Sequence, residues 1–200
     1  MRIYALLTQP VFNNGYLPVT ADHHILVGVF DGFSWIRCEG KGSFLNSPVM
    51  KAFGDQQVAA GQRLLVVDLA ACSGMDSTFM GTLAGMASRL SGMDGGSLQI
   101  AESGDRNRRS LEDLGLDFLM DINPPAAIWR DKLNAIRGDL KPPQAAGSLG
   151  QVQRTKHVLE AHQVLSDISD KNAREFEDVV GMLKDQISET KIAEDKHSKD

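Results

Sequence analysis

The sequence predicts an α/β domain, a small mixed β-sheet packed with α-helices, followed by a C-terminal α-helical hairpin. Four observations predict it. Residues 25–30 and 33–38 are β-patterned runs separated by Asp31-Gly32, a strong two-residue hairpin signal. Leu64 to Leu69 is a short apolar run broken only by Asp68, as in a strand buried inside an α/β sheet. Five small or turn-forming residues later the periodicity changes, and Phe79, Leu83, Met86 and Leu90 recur at helical spacing. Finally, a Gly- and Pro-containing linker over 138–150 gives way to purely amphipathic helix. The expected division is a poorly defined lead-in over 1–24, a domain over 25–137, the linker, a helical hairpin over 151–190, and a charged tail over 191–200.

Composition narrows the class of function. The chain has 200 residues, 42% apolar and 24% charged, enough for one ordinary domain and an appendage. A net charge of −5 argues against a general nucleic-acid binder, which needs a basic face against phosphates. No run approaches the length of a membrane span, and Gln9, Pro10 and two asparagines interrupt any apolar core of a signal peptide. Cys38 and Cys72 lie in apolar or small-residue surroundings without metal-ligand spacing, as buried free thiols of a reducing compartment do. The expected location is cytoplasmic.

In chain order, Tyr4 to Leu7 can form a short strand, but Pro10, Asn13-Asn14-Gly15 and Pro18 stop anything longer. His23-His24 has no Cys, Asp or Glu partner nearby and is expected to be a solvated segment before the first strand, not a metal site. Along residues 33–38, Phe33, Trp35 and Arg37 share one face, and Ser34, Ile36 and Cys38 the other. Gly40 and Gly42 end that strand. Asn46 or Ser47 then caps a helix with Pro48 in its first turn and Val49, Met50, Phe53 and Val58 as its buried side, which Gly54 weakens.

Asp76 or Ser77 stands at the N-cap of the next helix, so a hydroxyl is presented at its positive end. Gly81, Ala84, Gly85 and Ala87 make one side of that helix small. That side permits close approach to a strand or a partner, or tight packing inside the domain. Ser97 to Ala101 is a further strand, Arg106 to Leu114 a helix closed by Gly115, and Leu116 to Ile122 a last short strand or edge. Pro124-Pro125 starts a helix striped by Ile128, Trp129, Leu133 and Ile136. Beyond the linker, Val152, Thr155, Val158, Leu159, His162, Leu165 and Ile168 form one stripe. After a break at Ser169 or Asp170, Phe176, Val179, Val180, Leu183 and Ile187 form another. A 40-residue hairpin has no stable core of its own, so its apolar faces dock on the first domain, on a second copy to make a homodimer, or on a partner.

Val66-Val-Asp-Leu69, a short loop, Met75-Asp-Ser-Thr78 and Leu83 resemble the signature of STAS domains, the fold of bacterial anti-sigma factor antagonists. The glycines of Gly40-Lys-Gly42 and the segment beginning Arg106-Asn-Arg-Arg follow in the same order, so the resemblance covers about residues 25–123. It implies a STAS-like fold and a phosphorylation site at the serine directly after the Asp, which is Ser77, with Thr78 as the alternative acceptor. It also implies a partner surface comprising Ser43, Asn46, Asp76, Thr78, Phe79 and Met80. The family pattern has Gly two positions after the serine, where this chain has Phe79. That departure bears on the partner surface more than on the fold.

The implied function is that of an anti-sigma factor antagonist. It is a phosphorylation-regulated binding module that engages an anti-sigma factor acting as a serine-protein kinase, so controls transcription, and is restored by a PP2C-type phosphatase. The alternative is a constitutive STAS adaptor subunit of a larger assembly, such as a lipid-transport ABC system. No cofactor or metal is expected. Gly-x-Ser-x-Gly, a phosphate loop, His-Glu-x-x-His and Cys-x-x-Cys are all missing from the sequence, and an enzyme is not the expected class. Asp68 is either a buried carboxylate with a raised pKa or, the preferred expectation, a structural hydrogen-bonded group.

Overall fold

Asp31-Gly32 makes the turn its chemistry predicts. In the computed structural model, which describes residues 23–144 and 149–197, β1 (His23–Phe30) and β2 (Phe33–Gly42) pair antiparallel around Gly32 at φ +83°. Side chains are described for 24–144 and 149–190. From β2 the chain enters α1 (Ser47–Ala59) and returns as β3 (Leu64–Asp68), parallel to β2. It then passes through β4 (Cys72–Met75), α2 (Ser77–Ser91), β5 (Ser97–Ala101) and α3 (Asp105–Asp113). The sheet runs β1-β2-β3-β5-β6, where β6 is Asp121–Ile122, and β4 pairs with the end of β2. This is the mixed α/β architecture expected above.

The alternation along β2 divides the core in two. Ile36 and Cys38 join Leu65, Val67, Leu98, Ile100 and the α1–α3 side chains on one face of the sheet. Phe33 and Trp35 pack with Val66, Trp129 and Ile136 on the other. Both cysteines are buried free thiols. The stripe Phe79, Leu83, Met86 and Leu90 is buried along its whole length. Gly54 does more than weaken α1: a Cβ there would meet Met86 Sδ at 2.9 Å, so the glycine lets α1 approach α2.

Several expectations are corrected. His23 and His24 belong to β1, because the antiparallel register continues through His23↔Gly40. Residues 72–75, expected as loop, form β4 because Gly40–Gly42 of β2 offers an edge to pair with. Residues 116–118 form a single 3₁₀ turn, and only Asp121–Ile122 pairs as a strand. The helix expected after Pro124-Pro125 is instead a 3₁₀ turn (Arg130–Lys132) leading into α4 (Leu133–Asp139). Trp129 and Ile136 are buried, while Ile128 faces solvent. The start of the expected linker is tied down, since Val27 and Lys141 exchange backbone hydrogen bonds of 2.8 and 3.0 Å at the outer edge of β1. Residues 1–22, with the strand expected at Tyr4–Leu7, lie outside the described residues.

The hairpin consists of α5 (Gln151–Ser166) and α6 (Asp170–His197). The charged tail expected from 191 is therefore helix through His197. Of the three surfaces open to it, the hairpin uses the first domain: α5 lies along α2, and Leu165 and Phe176 enter the main core. Asn172, buried at the start of α6, donates to the carbonyls of Leu114 (3.0 Å) and Leu165 (3.2 Å). Among the described residues no helix is long and apolar enough to cross a membrane.

Candidate functional site

Asp76 organises the tip of the strand–loop–helix unit. As N-cap of α2 it accepts the Phe79 N–H at Oδ1 (2.8 Å), satisfying one of the helix's orphan donors. Its other oxygen accepts the Phe44 N–H (2.9 Å), and its own N–H donates to the Gly42 carbonyl (3.0 Å). One carboxylate thus joins the 42–46 loop to the first turn of α2. Asn46 holds that loop from within, accepting the Ser43 N–H (2.8 Å) and donating to the Lys41 carbonyl (2.9 Å). It makes no side-chain cap on α1 although it occupies the N-cap position. Ser43 and Asn46 are buried, and Phe44 and Leu45 between them are exposed, Leu45 by 67%.

Ser77 is the first residue of α2, not its cap, and is partly buried. Its Oγ lies 2.9 Å from His162 Nε2 on α5. The other ring nitrogen, Nδ1, lies 2.8 Å from the Val158 carbonyl, an acceptor only. Nδ1 therefore carries the proton of the neutral ring, Nε2 is the acceptor, and the Ser77 hydroxyl donates. The Phe176 ring meets His162 edge-on at 5.4 Å. A second contact of the same kind lies beside it: Ser47 Oγ, at the start of α1, is 2.8 Å from His157 Nε2, which also lies 3.4 Å from Thr82 Oγ1. Burial pushes the His157 pKa down, helped by Lys51 and opposed by Glu160 and Asp76.

The remaining residues of the expected partner surface face inward. Thr78 is buried and its carbonyl accepts the Thr82 hydroxyl (2.8 Å). Phe79 is fully buried under β2, where a Cβ on Gly42 would meet its ring at 2.9 Å, and Met80 also belongs to the core. The site thus brings together Ser43, Asn46, Asp76 and Ser77, with Phe79 and Met80 seating them from below.

The small side of α2 has its counterpart in the same chain. A Cβ at Gly81 would collide with the Ala161 backbone, the carbonyl oxygen foremost, so α2 and α5 touch through their backbones. At Gly85 the nearest atom is Val164 Cγ2 at 3.8 Å, an ordinary contact. Sequence reasoning placed His162 on the apolar stripe but missed His157 and Ala161. The four-residue spacing of His157, Ala161 and Leu165, all buried, is the signal that turns α5 to its true face.

Asp68 is the structural group preferred above. Burial opposes its ionisation, but Arg137, the Ala70 N–H and Arg37 overcome it, and its pKa is lowered, not raised. Arg137 reaches both carboxylate oxygens (2.8 and 3.0 Å) and Arg37 one of them (2.7 Å). Among the described residues no group of three His, Cys, Asp or Glu side chains is placed to hold a metal ion.

Solved structures similar to this one include anti-sigma factor antagonists. An anti-sigma factor antagonist from Mycobacterium paratuberculosis is 26% identical over 60% of this chain and 99% of its own, with a TM-score of 0.48. The anti-sigma factor antagonist SpoIIAA in its unphosphorylated form is 18% identical over 56% of this chain and 96% of its own, with a TM-score of 0.44. The Bacillus cell fate determinant SpoIIAA in the phosphorylated form is 18% identical over 56% and 97%, with a TM-score of 0.43. No protein-family model matches the chain, and no curated protein matches it in sequence.

Proposed function

We propose that this chain is a protein-binding switch of the anti-sigma factor antagonist kind, with Ser77 as its phosphoacceptor. The observation that carries the reading is the position of Asp76, bonded to both the 42–46 loop and α2 and directly preceding Ser77. A phosphoryl group on Ser77 adds about −1.5 to −2 charges beside that carboxylate. The helix N-terminus favours the new charge and Asp76 repels it, so the change is felt by the loop as well as the helix. Phe44 and Leu45 supply exposed apolar area for a partner next to the acceptor. Ser77 is preferred to Thr78, which is buried.

The partners in this reading are an anti-sigma factor that is also a serine-protein kinase, and a PP2C-type phosphatase. The chain itself is a binding module, not an enzyme, and acts in the cytoplasm. Intact-mass spectrometry of the chain from its own host, with peptide mapping across residues 64–90, tests the proposal. The expected result is a fraction heavier by one phosphate, mapped to Ser77 and lost in Ser77→Ala. Absence of phosphate under every growth condition sinks it.

The docked hairpin favours a second reading, a constitutive STAS adaptor subunit of a larger assembly such as a lipid-transport ABC system. In that case Ser77→Asp leaves binding to the cognate assembly at the wild-type level, whereas in the switch it weakens binding to the anti-sigma factor at least tenfold.

A further inference from the structure

The hydroxyl that would receive phosphate already has a partner. Phosphoryl transfer needs the acceptor oxygen in line with the γ-phosphorus and its proton free to pass to the kinase's own base. At Ser77 that proton points to His162 Nε2, and α5 stands where a kinase or a docking protein would have to be. Nothing slips between the helices, because at Gly81 and Ala161 they are in backbone contact.

The contact is nevertheless of a releasable kind. Beside apolar packing by Leu165, Phe176, Val164 and Ile168 it uses side-chain hydrogen bonds, Ser77 with His162 and Ser47 with His157, whose groups water can satisfy when the helices part. A cleft of about 210 Å³, open to solvent on the side of Ser88, Arg89 and Glu160, runs between α1, α2 and α5 beside the contact.

We infer that the α5–α6 hairpin is a lid on Ser77: docked, it withholds the side chain at position 77 from any other protein, and the competent form is the one with α5 lifted from α2. The identity of the modifier rests on the reading of Ser77 as phosphoacceptor; the lid itself does not.

Two glycines four residues apart make the test. Alanine favours a helix over glycine at either position. At Gly85 it fits against Val164, whereas at Gly81 it drives into Ala161. The reporter is the full chain with Ser77→Cys, alkylated by N-ethylmaleimide under native conditions, with Cys38 and Cys72 buried and counted separately in the unmodified chain. Adding Gly81→Ala is expected to speed alkylation of residue 77 at least tenfold, while Gly85→Ala leaves the rate unchanged. Should Gly81→Ala loosen the sheet as well, Ala161→Leu lifts α5 from the lid's own side without altering the first domain, and is expected to give the same acceleration. Equal rates in the parent, Gly81→Ala and Ala161→Leu chains overturn the lid. In the native-serine background Gly81→Ala raises the phosphate fraction at Ser77 several-fold. Phosphate missing from every variant while alkylation accelerates overturns the phosphoacceptor reading and leaves the lid standing.

Discussion

At Asp76 one carboxylate caps a helix and fastens a loop. Removing it in Asp76→Ala loses an N-cap worth about 1 kcal/mol and leaves the Phe44 N–H without its acceptor. Equilibrium urea denaturation is expected to show a loss of about 1–2 kcal/mol with the slope unchanged. His157 makes a pH-dependent contribution of definite sign. Burial holds its folded pKa below the ordinary 6.5, so below that value the unfolded chain takes up more protons than the folded one. Its contribution is complete above about pH 6.5 and is lost as pH falls through the lowered value. Stability measured at pH 7.5 and 5.5 is expected to drop at the lower pH, and to drop less in His157→Gln. Asp68 is silent in this window, because its folded pKa lies below the ordinary 3.8. Asp68→Asn, which leaves Arg37 and Arg137 without their buried counter-ion, is expected to cost about 3 kcal/mol at neutral pH.

At the scale of elements, α2 is seated by the absence of a side chain on its neighbour. Gly42 of β2 lies against the Phe79 ring, and Gly42→Ala is expected to destabilise the domain by about 1–3 kcal/mol, because the buried ring has nowhere to turn. A shift in the thermal midpoint checks this. Elements marked by a local signal were legible in the sequence: the β1–β2 hairpin by Asp31-Gly32, β3 by its continuous apolar run, α2 by its helical stripe, and β5 and α3 by the turn glycines that bound them. Those defined by a tertiary partner were not. Cys72–Met75 has no strand pattern and becomes β4 through the free end of β2. The segment after Pro124-Pro125 is anchored by single contacts, such as Trp129 Nε1 donating to Gln99 Oε1 (2.8 Å), rather than by a helical stripe. The helical period of α5 and the place of His162 on its stripe were visible, but its rotation was set by buried His157 and Ala161, a polar and a small residue that an apolar stripe underweights. The candidate site was legible at Asp76 and Ser77 because cap chemistry is local. Its other half, on α5, lies 85 positions away.

On the scale of the whole molecule, the hairpin divides the chain into parts of unequal stability. The sheet and α1–α3 share a continuous apolar core, which α5 and α6 join through Leu165 and Phe176, while His157 and His162 place polar groups in the contact between α5 and the helices beneath it. Native-state hydrogen exchange is expected to open α5 amides at a lower free energy than those of β3 and β5. Equal protection throughout would mean that hairpin and sheet unfold as one unit.

The span between Ser77 and His162 also sets an order of events during synthesis. The ribosome adds about 5–20 residues per second, so the 85 positions separating the two side chains take about 4–17 s to make. The strands and helices that present Ser77 are complete by residue 122, before any of α5 exists. Every nascent copy therefore passes through an interval of seconds with its serine uncovered. A cell that modified the chain co-translationally would meet the open form each time, without having to unlatch the finished one.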